Sequence, residues 1–159
     1  MRILYLGGSE AGRRCLKAMY DWGFEPTVGI PGHQLFAMSH PPYDVLISVH
    51  SRQIVPKAFL DRLPMGGINL HPNLSTHKGA DPIGRAIRDG QTRFSVGAHI
   101  MTEVVDGGPL LLEKFVDIPN APSLTPAEVY EWLYPIYIEV LSDVLQSLSG
   151  CEGLRKSGS

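Results

Sequence analysis

Three polar side chains in the middle of the sequence could together transfer an acyl group. Asn69 and His71 lie two residues apart in GINLHPNL, and Asp106 precedes two glycines in EVVDGG. Residues two apart in a β-strand share one face, so the amide and the imidazole would point together while Leu70 points into the core. An amide, an imidazole and a carboxylate suit acyl transfer without a side-chain nucleophile. Taken singly, His71 also fits a structural histidine at a strand end, and Asp106 fits a hairpin turn.

A glycine-rich turn near the start of the chain is a second candidate site. The run GGSEAG follows an apolar strand-like run and precedes a helix-like run, so its backbone N–H groups could hold an anion. Ser9 occupies the middle glycine position of GxGxxG, and no acidic residue ends the next strand, TVGI, which disfavours a dinucleotide. The pattern leaves a plain tight turn or a site for part of another substrate.

The histidines and cysteines do not predict a metal site. His71, His77 and His99 lack HExxH or paired CxxC spacing, and only two cysteines, Cys15 and Cys151, are present. Two distant cysteines do not form a disulfide framework, so we expect reduced thiols and a cytoplasmic protein.

The elements that must position these residues alternate between strands and helices. The strand-like runs RILYL, TVGI, DVLISV and GINL are interleaved with helix-like runs, including PKAFLDRL and PIGRAIRD. This alternation predicts a three-layer, Rossmann-like, mainly parallel α/β sheet with helices on both faces. RFSVGAHIM and PLLLEKFVDI predict an antiparallel extension. Thr125 and Glu128 form a capping box for a long helix ending near Leu148, and Asp81 is expected to cap an earlier helix.

The composition is that of one globular domain with no preference for a charged polymer. The 159 residues are 43% hydrophobic and carry a formal net charge of −2. Neither a nucleic-acid partner nor a membrane partner is predicted from this balance, and no apolar run is long enough for a signal or a membrane span. We expect residues 1–150 to form a single catalytic domain and residues 151–159 a flexible tail. The oligomeric state is not predicted.

The motifs resemble those of the folate-dependent formyltransferases, which include glycinamide ribonucleotide, methionyl-tRNA and sugar-nucleotide N-formyltransferases and the formyltetrahydrofolate hydrolases. The resemblance rests on GINLHPNL, KGADPIGRAI, VGAHIMTEVVDGGPLL and, more loosely, DVLISVHSRQIVPK. It implies the formyltransferase fold, catalysis by Asn69, His71 and Asp106, and a supporting role for His99.

The resemblance also implies a chemistry. The co-substrate would be 10-formyltetrahydrofolate, with no metal. Asn69 would donate to the oxyanion, and His71 would donate and later protonate the folate nitrogen. Asp106 would keep the imidazole charged and relay the proton of the amine. The folate would lie against two loops, largely through backbone groups, at Arg52, Gln53, Ile54, Thr102, Val104 and Val105.

The acceptor amine would enter from the opposite side of the site, where Gly8, Ser9, His77 and Lys78 lie on two strand-to-helix turns. The sequence Asn73-Leu74-Ser75-Thr76 replaces the family's Ser-Leu-Leu-Pro here. The compact chain, without a second domain of the tRNA-modifying type, is similar to formylation domains of nonribosomal peptide synthetases and equally compatible with a free-standing enzyme. A small-molecule amine such as a sugar nucleotide, or a carrier-bound aminoacyl group, is therefore the expected partner. Hydrolysis of the folate and a catalytically silent folate-binding module are the alternatives.

Overall fold

A computed structural model describes residues 1–30, 34–51 and 53–157, of which residues 151–157 are described by their backbone alone. Within these ranges six strands form one sheet: β1 (Ile3–Leu6), β2 (Thr27–Val28), β3 (Val45–Val49), β4 (Gly67–Pro72), β5 (Arg93–Ile100) and β6 (Leu110–Asp117). Their order is β2-β1-β3-β4-β5-β6. The first four strands are parallel, and β5 and β6 are antiparallel to their neighbours. The predicted mainly parallel sheet with an antiparallel extension is confirmed.

The helices are α1 (Glu10–Asp21), α2 (Lys57–Leu60), α3 (Pro82–Arg88) and α4 (Pro126–Ser157), with short 3₁₀ turns at Gln34–Ala37 and Ala121–Ser123. α4 extends past the predicted end near Leu148, and the division into a domain and a tail stays a prediction. No helix in the described ranges is long and apolar enough to span a membrane.

Alternate residues of the central strands fill two separate cores. Ile3 and Tyr5 of β1 belong to the larger cluster, which also contains buried residues of α1, α3 and α4. Leu4 and Leu6 belong to the smaller cluster, together with Phe59 of α2 and Leu35. Because successive strand residues point to opposite faces, both faces of the sheet are covered, which confirms the three layers.

Two helix starts show how the local sequence fixes chain direction next to the sheet. At α4 the predicted capping box forms, with Glu128 N–H donating to Thr125 Oγ1 at 3.3 Å and Thr125 N–H donating to Glu128 Oε1 at 3.1 Å. At α3 the expectation of a capping side chain is wrong. Asp81 is the N-cap residue, but it has φ 48° and makes no capping hydrogen bond. A capping side chain needs an extended backbone, and the carboxylate of Asp81 instead pairs with Arg88 at 3.1 Å.

Candidate active site

Strand β4 presents Asn69 and His71 on one face. Ile68 and Leu70 pack into the larger core, while Asn69 and His71 are 7% and 4% exposed on the opposite face. His99 of β5 lies directly across from Asn69 in the antiparallel register, so it shares that face. Burial of these polar side chains requires polar partners, because an unpaired polar group in a dry environment is costly.

Asp106 reaches this face from the loop between β5 and β6. Its Oδ2 lies 3.2 Å from Nε2 of His71, and both side chains are buried. Asp106 itself has φ 53°, a left-handed conformation that Asp tolerates better than most residues. A Cβ at Gly108 would lie 1.7 Å from the carbonyl oxygen of Ile100, so the loop can take this path only with glycine there.

Gly79 connects the imidazole to the carboxylate through its backbone. Its N–H donates to Asp106 Oδ2 at 2.9 Å, and its carbonyl oxygen lies 3.2 Å from Nε2 of His71. Both groups facing Nε2 are acceptors, which favours the tautomer with the proton on Nε2 and leaves Nδ1 for chemistry. Gly79 has φ 86°, which explains the glycine at this point of the turn.

His99 joins the amide to the carboxylate. Its Nδ1 donates to the carbonyl of Ile100 at 3.0 Å, and its Nε2 lies 3.3 Å from Nδ2 of Asn69 and 3.6 Å from Oδ1 of Asp106. The ring is only 2% exposed. His99 therefore contacts two of the three converging side chains, Asn69 and Asp106.

Two buried polar atoms of the site have no hydrogen-bond partner among the described residues: Oδ1 of Asn69 and Nδ1 of His71. Buried polar atoms in native proteins are nearly always paired. Both atoms belong to side chains on the same face of β4, where a polar substrate that enters the site would supply the missing partners.

The electrostatics favour a neutral imidazole beside a charged carboxylate. Burial lowers the pKa of His71 below its ordinary value, and the negative charge of Asp106 only partly restores it. For Asp106, burial favours the neutral acid. The contacts from His99, His71 and the Gly79 N–H nevertheless outweigh burial and lower the pKa of the carboxyl group. The expectation that Asp106 keeps His71 charged before reaction is therefore not supported, because burial dominates at the imidazole.

The residues predicted to contact folate lie on two loops with exposed apolar side chains. Ile54, Val104 and Val105 are 79%, 60% and 69% exposed. Thr102 is also exposed and its hydroxyl accepts from Val104 N–H at 3.2 Å, while Gln53 is half-buried. Arg52 lies outside the described residues.

The predicted acceptor-side residues differ in accessibility. Gly8 and Lys78 are exposed, whereas Ser9 is half-buried and caps α1 by accepting from Gly12 N–H at 3.2 Å. His77 is buried, with one ring nitrogen 2.7 Å from Asp89 Oδ2 and the other 2.9 Å from Thr76 Oγ1. Its acceptor-side role stays a prediction, and this geometry favours an indirect role in which His77 holds the turn.

The segment that departs from the family pattern is tied to β5 and β6. Oδ1 of Asn73 accepts from Ser95 N–H at 2.9 Å. Oε1 of Glu113 accepts from the hydroxyls of Ser75 and Ser95 at 2.9 and 2.6 Å. Hydrogen bonds with polar groups of β5 and β6 therefore fix this segment in the present chain.

Sequence reasoning missed two residues that contact the converging groups. Gly79 lies within KGADPIGRAI, and a glycine between a strand and a helix is a signal for a backbone that binds at close range. His50 has its ring centroid 5.7 Å from that of His71. Its place directly after a buried strand, DVLISV, was the available signal. In the described part of the chain, no group of three or more His, Cys, Asp or Glu side chains is placed to hold a metal ion.

A sequence model of the family described as formyl transferase matches residues 36–144. The chain belongs to the formyl transferase family. The matched range contains Asn69, His71, His99 and Asp106, whereas the GGSEAG turn lies before it. The resemblance inferred from the motifs is confirmed.

The relatives of this chain differ in length and name. Methionyl-tRNA formyltransferase of Trichlorobacter lovleyi is 30% identical over 130 residues, covering 76% of this chain and 40% of that protein. The chain thus spans less than half the length of that relative. HypX from Aquifex aeolicus, solved with tetrahydrofolic acid, has a TM-score of 0.79 at 18% identity, covering 94% of this chain and 27% of that one. A sugar N-formyltransferase from Shewanella has a TM-score of 0.76 at 21% identity, covering 96% of this chain and 71% of that one. At these identities the two structures show a shared fold.

Proposed function

We propose that the protein is an N-formyltransferase that moves the formyl group of 10-formyltetrahydrofolate to a primary amine. The observation that carries the proposal is the convergence of His71 and Asp106 at 3.2 Å beside Asn69, with two polar atoms of this site left without partners among the described residues. Membership in the formyl transferase family supplies the formyl group as the unit transferred.

The chain's own residues suit attack by an amine on a formyl carbon. Neutral His71 accepts the amine proton at Nδ1 as the new C–N bond forms. Nε2–H stays directed at Asp106, whose negative charge stabilises the imidazolium that results. Asn69 donates an amide hydrogen to the oxygen, where negative charge develops. The imidazolium then returns the proton to the folate nitrogen as the original C–N bond breaks.

The donor is proposed to lie against the loops at residues 53–54 and 102–105. Ile54, Val104 and Val105 provide exposed apolar area, which suits a planar aromatic ring system better than a charged group. HypX from Aquifex aeolicus, which shares this fold and was solved in complex with tetrahydrofolic acid, supports a folate ligand. Arg52 remains a proposed donor contact outside the described residues.

The acceptor is proposed to enter past Gly8, Ser9 and Lys78. Strand order reverses on either side of β1, and ligands of open α/β sheets bind outside the carboxyl ends of strands at such a point. Gly8 and Ser9 lie two and three residues after the end of β1, and Lys78 lies on the turn after β4. Sugar-nucleotide and carrier-bound aminoacyl amines are the proposed acceptors. The name of the relative from Trichlorobacter adds methionyl-tRNA to the candidates, so the prediction of no nucleic-acid partner stays untested.

The proposal is tested by following release of tetrahydrofolate from 10-formyltetrahydrofolate, with and without each amine of a panel. The panel should contain a nucleotide-linked amino sugar, a carrier-bound aminoacyl group and methionyl-tRNA. Amine-dependent release accompanied by a formylated amine is the expected result. Release at the same rate without any amine would instead identify a hydrolase, and no release would leave only a binding module.

Acceptor kinetics of Gly8→Val and Lys78→Ala test which side of the site binds the acceptor and which binds the folate. A Cβ at Gly8 meets no atom within 4 Å, so valine there should obstruct a ligand without disturbing the fold. Both changes should raise the KM of the acceptor and leave the KM of the folate nearly unchanged. A raised folate KM with an unaffected acceptor would mean that the two sides are assigned the wrong way round.

A further inference from the structure

Backbone strain in the described chain is concentrated around the candidate active site. The non-glycine residues with positive φ are His50, Asn73, Asp81 and Asp106. Asp106 belongs to the site, and Asn73 and Asp81 flank the turn that contains Gly79. Left-handed residues other than glycine persist only where their surroundings enforce them, and they cluster at functional sites. His50 is the member of this set that contacts the reacting imidazole and has no part in the mechanism proposed above.

The ring of His50 packs against His71. The ring centroids lie 5.7 Å apart and the planes are inclined by 71°, which is an edge-to-face contact. The backbone N–H of His50 donates to the carbonyl of Leu70 at 2.9 Å, so its position is tied to the residue before His71. Its φ of 45° turns the chain at the carboxyl end of β3.

Helix α4 supports the other side of the His50 ring. The ring is stacked on Tyr130 with centroids 6.1 Å apart and planes inclined by 19°. Tyr130 in turn stacks on Tyr134, whose ring is covered by the guanidinium of Arg14 at 4.2 Å. A continuous row of contacts thus runs from Arg14 of α1 through the tyrosine rings of α4 to His50, and His50 contacts His71.

The contacts of His71 leave its ring only partly fixed without His50. Asp106 and Gly79 both contact Nε2, so these contacts oppose rotation of the ring about its Cβ–Cγ bond at one atom. The packing of His50 opposes the same rotation at a second place on the ring. Reacting atoms must be held near their productive positions, since small misplacements reduce rates strongly.

We propose that His50 is a positioning residue of the formyl transfer reaction: its ring, supported by Tyr130, holds the plane of His71 so that Nδ1 faces the attacking amine. The tests of this role by kcat rest on the proposed function. The test by the ¹⁵N spectrum of the imidazole rings does not depend on that function.

The first test compares His50→Gly with His50→Ala. Both remove the ring, but only glycine relieves the left-handed backbone. The glycine variant should melt about 2–4 °C above the alanine variant. Both should have a kcat roughly 10- to 100-fold below that of the wild type with little change in either KM. A kcat that differs between the two in step with Tm would show that only stability was lost, and would overturn the proposal.

Two further variants define the contact. His50→Phe keeps a ring for the edge-to-face contact and should retain most of kcat, whereas a kcat as low as that of His50→Gly would contradict a packing role. Trp132→Ala is the matched control, because it removes a 48% exposed aromatic ring from α4 outside the row of rings. It should leave kcat unchanged.

The last test records the imidazole ¹⁵N spectrum of the protein without substrates. His50→Gly should shift the His71 resonances and leave those of His99 in place, because His99 has its own partners. Unchanged His71 resonances would overturn the proposal whatever the protein's activity. Shifted resonances in a protein whose wild type transfers no formyl group would refute the proposed function, while still showing that His50 fixes the His71 ring.

Discussion

The proton on Nε2 of His71 lies between two acceptors, the carboxylate of Asp106 and the carbonyl oxygen of Gly79. Nε2 of His71 lies 3.2 Å from both Asp106 Oδ2 and the carbonyl oxygen of Gly79. Burial keeps the imidazole neutral, while its contacts keep the carboxyl group charged. A neutral His71 can accept a proton at Nδ1, and the two groups titrate as a coupled pair.

This arrangement predicts the pH dependence of kcat/KM. Activity should rise as His71 loses its proton, with an acidic limb below the ordinary imidazole value of 6.5. Asp106→Asn removes the charge that raises the pKa of His71, so the limb should move to lower pH while the maximal rate falls. A pH–rate profile of the two proteins measures both effects, and a limb that moves to higher pH contradicts the electrostatic account.

His99 is expected to matter for the fold as well as for the reaction. It is 2% exposed and lies between Asn69 and Asp106. His99→Asn should lower Tm and activity together, because the shorter side chain leaves buried polar groups unpaired. Thermal melts beside steady-state assays check this. A fully stable but inactive variant would instead give His99 a direct part in the chemistry.

The three converging residues could be predicted because their spacing follows strand geometry and their motifs resemble a family. The charge state of His71 could not, since it depends on burial by residues far away in sequence. The contact of His50 with His71 depends on the pairing of β3 with β4, and the support from Tyr130 depends on a helix much later in the sequence.

Two loops between secondary-structure elements bring the residues of the site together. The loop between β5 and β6 delivers Asp106, and the turn between β4 and α3 delivers Gly79. Gly108 lies against the carbonyl of Ile100, so the first loop could not take its path with a Cβ at this close approach. The second loop needs the positive φ of Gly79.

Gly108→Ala should therefore displace the carboxylate without unfolding the sheet. The added Cβ would start 1.7 Å from a backbone oxygen, so the loop must move rather than a side chain. We expect a loss of activity much larger than the loss of thermal stability, measured by steady-state rates and melting curves. Gly150→Ala is the control, since a Cβ there meets nothing within 4 Å. Equal activity of the two variants would show that the loop path does not position Asp106.

The six strands and their mainly parallel arrangement followed from hydrophobic patterns, and the capping box of α4 followed from Thr125 and Glu128. The cap of α3 did not, because the left-handed backbone of Asp81 is set by the turn that delivers Gly79 rather than by the local preference of Asp. The short length of α2, Lys57–Leu60, was also not evident from PKAFLDRL.

The folded protein should lose stability as the pH falls, because folding lowers the pKa values of His71 and Asp106. Both pKa values are lower in the folded state than in the unfolded chain, so the unfolded chain binds more protons as the pH falls. The contribution of His71 is complete above its ordinary value of 6.5 and is lost progressively below it. That of Asp106 is complete above 3.8 and is lost as the pH falls through its lower folded pKa.

Urea unfolding of the wild type and His71→Gln at about pH 7.5 and about pH 5.5 measures the first of these contributions. The wild type should lose more unfolding free energy between the two pH values than the variant does. An equal loss in both proteins would mean that His71 is not held neutral by the fold.

We propose that Asn69, His71 and Asp106 together transfer a formyl group to an amine. The decisive measurement is single-turnover formylation with the wild type, Asn69→Ala and His71→Ala, once the amine panel has given an acceptor. The wild type should form one formylated amine for each tetrahydrofolate released. Asn69→Ala should be slower by roughly 10²- to 10³-fold, and His71→Ala by at least as much, with folate affinity nearly unchanged because these groups act mainly in the transition state. Formylation at the wild-type rate by either variant would show that the substituted residue takes no part in the transfer.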